Sequence, residues 1–163
     1  MTIIDDTISG DGSHFRRLLP LTEKSPAMFD ETFRAGAPDS IPDGHTTGLG
    51  LAFPGRWICR PLAWTFQLLF WKGKIFYRDE GRLINLILPF RFRAIPAKVF
   101  IGESLFDGKP CVVMDYSEGT PGTRMIRDEI REVEPGVYLG LAYAFQRKVI
   151  RFALYDESAE PRR

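Results

Sequence analysis

The chain has 163 residues, a length that suits one domain around one core. Apolar residues at 44% and charged residues at 26% exclude a disordered chain, and the 13% aromatic content, with 13 Phe, points to an aromatic-lined interior. The net charge of +1 hides a middle stretch, residues 54–100, with nine basic side chains against only Asp79 and Glu80; the whole-chain balance excludes a strongly basic nucleic-acid binder and leaves an anionic small ligand or membrane surface open.

The first residues, MTIIDDTISGDG, are acidic where a secretory signal needs a basic start and a continuous apolar stretch, so a cytoplasmic location with reduced thiols is expected. Cys59 and Cys111 form no CxxC pair, and His14 and His45 cannot complete a zinc site of familiar spacing, so neither a metal nor a cofactor is expected. Residues 14–19 and 26–34 suit short helices, the second with Ser25 as N-cap, Pro26 at its first position and Gly36 as its stop. A helical segment over residues 1–45 is therefore expected to pack on a β domain over residues 46–157, followed by a flexible tail, residues 158–163.

The most hydrophobic run, residues 61–71 (PLAWTFQLLFW), is about half the roughly 20 residues that span a bilayer. Trp57, Trp64 and Trp71 stand among Arg56, Arg60, Lys72 and Lys74, so the run reads either as a buried core element or as an interfacial docking surface. From residue 46 onward, short apolar or alternating runs are punctuated by Gly, Pro and Asp. The pattern predicts strands over residues 46–53, 72–78, 82–88, 90–94, 98–106, 110–117, 125–133, 137–145 and 149–155. Turn chemistry falls between them at 78–81, 106–109, 119–122, 134–136 and 146–148. Eight or nine antiparallel strands close most economically into a barrel, because closure removes exposed edges. The predicted fold is thus mainly β, a closed barrel with short N-terminal helices and room for one small ligand.

The order Gly48-Leu49-Gly50, Trp71-Lys72-Gly73-Lys74, Val113-Met114-Asp115-Tyr116, Arg127 to Val133, then Val137-Tyr138-Leu139-Gly140-Leu141 resembles the small bacterial calycin-like barrels of the GXWXG type. The likeness spans residues 45–155; Leu49 and Leu51 flank Gly50 where those proteins carry Trp, and Asp115-Tyr116 stands in reversed order. What the resemblance implies is a lipocalin-like cup for a hydrophobic small molecule, with no particular reaction.

Strand alternation selects candidate side chains, since an ionisable residue sharing a face with apolar neighbours is either paired or functional. Asp128 shares a face with Ile126 and Ile130, and Glu103 with Val99, Ile101 and Leu105; a desolvated carboxylate there serves as a general acid or base, or else ties strands to an arginine. Arg91 and Arg93 share one face of their strand; pointing inward they fork around a carboxylate or phosphate, pointing outward they are surface charges. Tyr116, beside Met114, and Tyr143, beside Leu141 and Phe145, offer hydroxyls and ring surface to a ligand, and Trp71 offers an indole. His45 is expected at the barrel mouth, either shuttling protons or merely exposed. Lys72 and Lys74 read as solvated rim lysines, so no catalytic lysine is expected. Neither Ser104 nor Ser117 sits in a GxSxG elbow, and no Gly-rich phosphate loop is present.

Three functions follow. The first is binding of a hydrophobic small molecule, with or without a carboxylate, in the barrel cavity. The second is a cofactor-free isomerase, cyclase or lyase working on a lipid, terpenoid or polyketide-like substrate through Asp128 or Glu103. The third, weaker, is docking to a membrane or protein through residues 61–71.

Overall fold

Every strand pairs antiparallel with its sequence neighbours and the last returns to the first, so the sheet closes on itself as a barrel. The molecule, a computed structural model, is described over residues 13–51, 71–87 and 92–159. Within them the barrel comprises β1 (Gly44–Leu51), β2 (Trp71–Tyr77), β3 (Arg82–Ile87), β4 (Phe92–Glu103), β5 (Pro110–Asp115), β6 (Ile126–Glu134), β7 (Val137–Ala144) and β8 (Arg147–Asp156). The predicted strands at 90–94 and 98–106 are one strand, β4. Pro96, which interrupts the apolar pattern, sits beside a bulge where Ile84 pairs with Pro96 and Asn85 with Ala94, leaving Ile95 as the extra residue. The last hairpin turns on Phe145 and Gln146, both at positive φ (51° and 63°), the pattern of a two-residue primed turn one residue earlier than predicted.

Ahead of the barrel, residues 13–18 are helical and lead through a 3-10 turn (Leu19–Glu23) into α1 (Pro26–Ala35). Ser25 accepts a hydrogen bond from the Met28 amide at 3.2 Å, Pro26 opens the helix, and Gly36 ends it in an extended conformation. Phe29 and Phe33, one turn apart, are fully buried, and pack with Leu18, Leu49, Leu51, Leu139, Leu141 and Tyr155 on the outside of the barrel wall. A second cluster, including Phe76, Leu83, Val112, Met114, Ile130, Tyr138 and Leu154, fills part of the inside. The wall therefore carries apolar side chains on both faces where the helices cover it.

Ionic clips fasten the helix to that wall. Asp30 takes Arg151 in a bidentate pair at 2.9 Å and Lys148 at 3.0 Å. Arg131, 1% exposed, makes a bidentate pair with Asp107 at 2.8 Å, donates to the Phe33 carbonyl at 3.4 Å, and lies over the Phe33 ring. Burial raises the Asp30 carboxyl, but hydrogen bonds and charge from Arg151 and Lys148 carry it below its ordinary 3.8; for Asp107 the Arg131 hydrogen bonds outweigh the opposing burial. A depressed folded pKa means both clips contribute fully above the unfolded value and are lost as pH falls through the folded one. Stability should therefore decline below about pH 4, and Asp30→Asn with Asp107→Asn should flatten that acid limb in a urea-midpoint series; an unchanged limb refutes the assignment.

β4 outruns its neighbour. Its pairing with β3 ends at Lys98–Arg82, so residues 100–103 have β5 on one side and, among the described residues, no strand on the other. Phe100 and Ile101 are accordingly exposed, and so is Glu103. The expectation that Glu103 faces the interior is corrected by this one-sided extension.

Candidate functional site

Inside the barrel lies a cavity of about 290 Å³ that opens at one end. Its walls are Ile87, Ile95, Ile126, Ala142, Ile150 and Phe152, and its floor is polar. Two glycines on the inner face, Gly48 and Gly140, leave the space that the Trp71 and Phe152 rings occupy; a Cβ at either would collide with the ring. The two rings meet edge to face at 5.7 Å.

Two bulges decide which side chains reach this interior. In β2, pairing with β3 shifts between Trp71 and Gly73, so Lys72 is the extra residue. Gly73, at φ 141°, presses against the Thr46 carbonyl where any Cβ would clash. Trp71 and Lys74, three apart and thus on opposite faces of a regular strand, both line the cavity as a result. In β4 the Ile95 bulge, at φ 55° for a β-branched residue, turns Ile95 into the cavity and its carbonyl towards Asn85 Nδ2 at 2.8 Å. It also inverts the alternation: Ala94 opposes the inward Asn85, and Arg93 beside it is exposed.

The floor is a closed network. Lys74, 3% exposed, donates to Asn85 Oδ1 at 2.8 Å, Tyr116 Oη at 2.7 Å and Asp128 Oδ2 at 3.0 Å. Asn85 Nδ2 donates to Tyr116 Oη at 3.1 Å, Tyr116 in turn to Asp128 Oδ2 at 3.1 Å, and Trp71 Nε1 to Asn85 Oδ1 at 3.3 Å. The Lys74 ammonium also stands 5.3, 5.4 and 5.7 Å from the Trp71, Tyr116 and Phe152 ring centres, within cation–π range. Burial pushes the lysine pKa down, and Tyr116 and Asp128 more than offset it, so Lys74 titrates above its ordinary value. Burial and the Asp128 charge together push the Tyr116 phenol up to about 12. At neutral pH the floor thus holds an ammonium and a neutral phenol beside Asp128. A Schiff-base role for Lys74, which needs a free amine, is disfavoured by that charge.

The expected site residues separate accordingly. Asp128, Tyr116 and Trp71 come together in the cavity. Glu103 does not, as described above. Arg93 and His45 border instead a separate groove on the outer surface of β1 and β2, beside Ile75 and Tyr77, and His45 is exposed at the barrel end away from the cavity mouth. Arg91 and most of the 61–71 run, with Trp57, Trp64 and Cys59, lie outside the described residues. Tyr143 borders the cavity, but its side chain packs in the outer cluster with Phe29 and Leu51, and its hydroxyl is buried with no hydrogen-bond partner among the described residues. Burial raises that hydroxyl's pKa. Tyr143→Phe removes an unsatisfied buried group and should raise stability by about 1 kcal/mol; a lower urea midpoint would contradict the unpaired hydroxyl.

Lys74 and Asn85 are the residues that sequence reasoning missed. Asn85 shares a face with Leu83 and Ile87, so the alternation test that selected Asp128 would have found it had amides been included. Lys74 alternates with Ile75 beside Phe76, yet long basic side chains next to a Trp-rich run are ordinarily solvated, and the expectation of a rim lysine is corrected by its burial.

No protein-family model matches the chain and no curated protein matches it, so the GXWXG resemblance receives no support from those comparisons. Among solved structures, a crystal structure of a protein from Thermomonospora curvata is similar, with a TM-score of 0.56 and 19% identity, covering 90% of this chain and 97% of that chain. At this identity the likeness concerns the fold alone. Among the described residues no helix is long and apolar enough to cross a membrane.

Proposed function

We propose that the barrel is a calycin-like cup that binds one hydrophobic small molecule in its cavity. The observation carrying this reading is the combination of apolar walls with a single buried polar cluster at their base, the arrangement that buries a ligand's body and orients its one polar end. At about 290 Å³ the space lies near the small end of ligand pockets, which favours a compact guest. Native mass spectrometry of freshly purified protein tests the reading, together with titration of a neutral fluorescent hydrophobe such as N-phenylnaphthylamine. A co-purified small molecule or saturable one-site binding is expected; neither a bound molecule nor saturation would refute it.

A second reading rests on the Asp128 carboxylate at the cavity surface. A carboxylate held by Lys74 and Tyr116 within reach of a bound molecule has the placement of a general base, and supports the cofactor-free isomerase, cyclase or lyase alternative with Asp128 acting alone. Loss of turnover with retained affinity in Asp128→Asn would favour it. Loss of affinity alone would leave binding as the function.

A further inference from the structure

A hydrogen-bond inventory of the floor distinguishes what it has left to offer. An ammonium has three protons, and those of Lys74 go to Asn85, Tyr116 and Asp128. Both amide hydrogens of Asn85 are spent, on the Ile95 carbonyl and on Tyr116 Oη, and both lone pairs of its oxygen are taken by Lys74 and Trp71. Tyr116 gives its proton to Asp128 and accepts from Lys74 and Asn85. The Trp71 indole proton is used, and Thr123 at the mouth spends its hydroxyl proton on the Thr120 carbonyl at 2.8 Å. Asp128 differs from them all. Oδ2 accepts two hydrogen bonds, whereas Oδ1 accepts none among the described residues, although the carboxylate lines the cavity and is 9% exposed. In the cavity's described floor the open valence is thus an acceptor.

Resting on the binding function proposed above, we infer that the cavity's ligand is a neutral hydrophobic alcohol or phenol whose hydroxyl donates to Asp128 Oδ1. A ligand carboxylate would meet the carboxylate of Asp128 with no donor of the floor network free to receive it, the unpaired Tyr143 hydroxyl belonging to a side chain packed in the outer cluster, and its desolvation would go uncompensated. Arg93, which an inward fork would have supplied, is exposed on the outer wall. A ligand ammonium would find the acceptor but would share Asp128 with the Lys74 ammonium, whose nearest aromatic faces, Trp71, Tyr116 and Phe152, are already occupied by that cation. A neutral donor brings neither penalty.

The test is a set of competition titrations against N-phenylnaphthylamine with octanol, octanoate and octylammonium, which share one chain and differ at the head. Octanol should compete about tenfold or more better than either ion at neutral pH. Octanoate or octylammonium competing as well as octanol would overturn the inference while leaving the binding cup intact. Absence of saturable binding by the probe itself would remove the cup, and the inference with it. Asp128→Asn supplies a second readout, because its amide offers a donor to the incoming head: the octanol-to-octanoate preference should narrow about tenfold, and an unchanged preference in a folded variant would count against the inference. If that variant does not fold, the ranking in the unaltered protein decides by itself.

Discussion

Lys74→Met should destabilise the fold by about 3–5 kcal/mol, the cost expected when one partner of a buried ion pair is removed. The methionine fills similar volume, so the loss isolates the charge. Asp128 would be left at 9% exposure without its ammonium partner and with one hydrogen bond fewer, and Asn85 and Tyr116 would each lose the donor that now saturates them. Against a typical total of about 5–15 kcal/mol, this should appear as a large fall in the urea midpoint with little change in slope. The double change Lys74→Met with Asp128→Leu removes both charges and should recover most of the loss, since well-packed apolar residues often replace a buried pair without penalty. A recovered double variant that no longer distinguishes octanol from octanoate would show that the pair serves recognition more than stability. A single variant within about 0.5 kcal/mol of the unaltered protein would show that the ammonium is not held as described.

Asp107→Asn should cost a comparable amount, about 3–5 kcal/mol, for a different structural reason. Arg131 spans three elements at once: it leaves β6, pairs with Asp107 in the β4–β5 connection, accepts the Phe33 ring against its guanidinium, and donates to the Phe33, Lys109 and Pro110 carbonyls. Loss of the carboxylate strands a guanidinium that is 1% exposed beneath α1. Limited proteolysis should then cut the N-terminal helical residues earlier than in the unaltered protein, since their seat on the wall is weakened. Lys98→Met is the control: its pair with Glu118 is 57% and 70% exposed, and its removal should leave the urea midpoint unchanged. Equal losses in both variants would mean that burial does not set the strength of these pairs.

The barrel itself was legible from period-two alternation and from turn residues such as Gly81, Gly108 and Gly136, which occupy positive φ at the predicted connections. The helix ends at Ser25, Pro26 and Gly36 were legible for the same local reason. Asp128 was placed correctly because β6 runs without a bulge through Ile126, Asp128 and Ile130, so alternation holds across it. β7 was harder. Helices cover its outer face, so Leu139, Leu141 and Tyr143 are as apolar as an interior row, and composition does not say which row faces the cavity.

Local chemistry thus determined the class of fold, the helix caps, most turns and one acid of the cavity floor, because each depends on a few consecutive residues. The rest belonged to the tertiary structure. β2 bulges at Lys72, where Gly73 lies against the Thr46 carbonyl, Ile95 bulges where β4 meets β3, and β4 loses its β3 neighbour beyond Lys98. These events place Trp71 beside Lys74, turn Arg93 out and expose Glu103. A bulge of one residue reverses every side chain beyond it, and whether it forms is decided by partners distant in the chain.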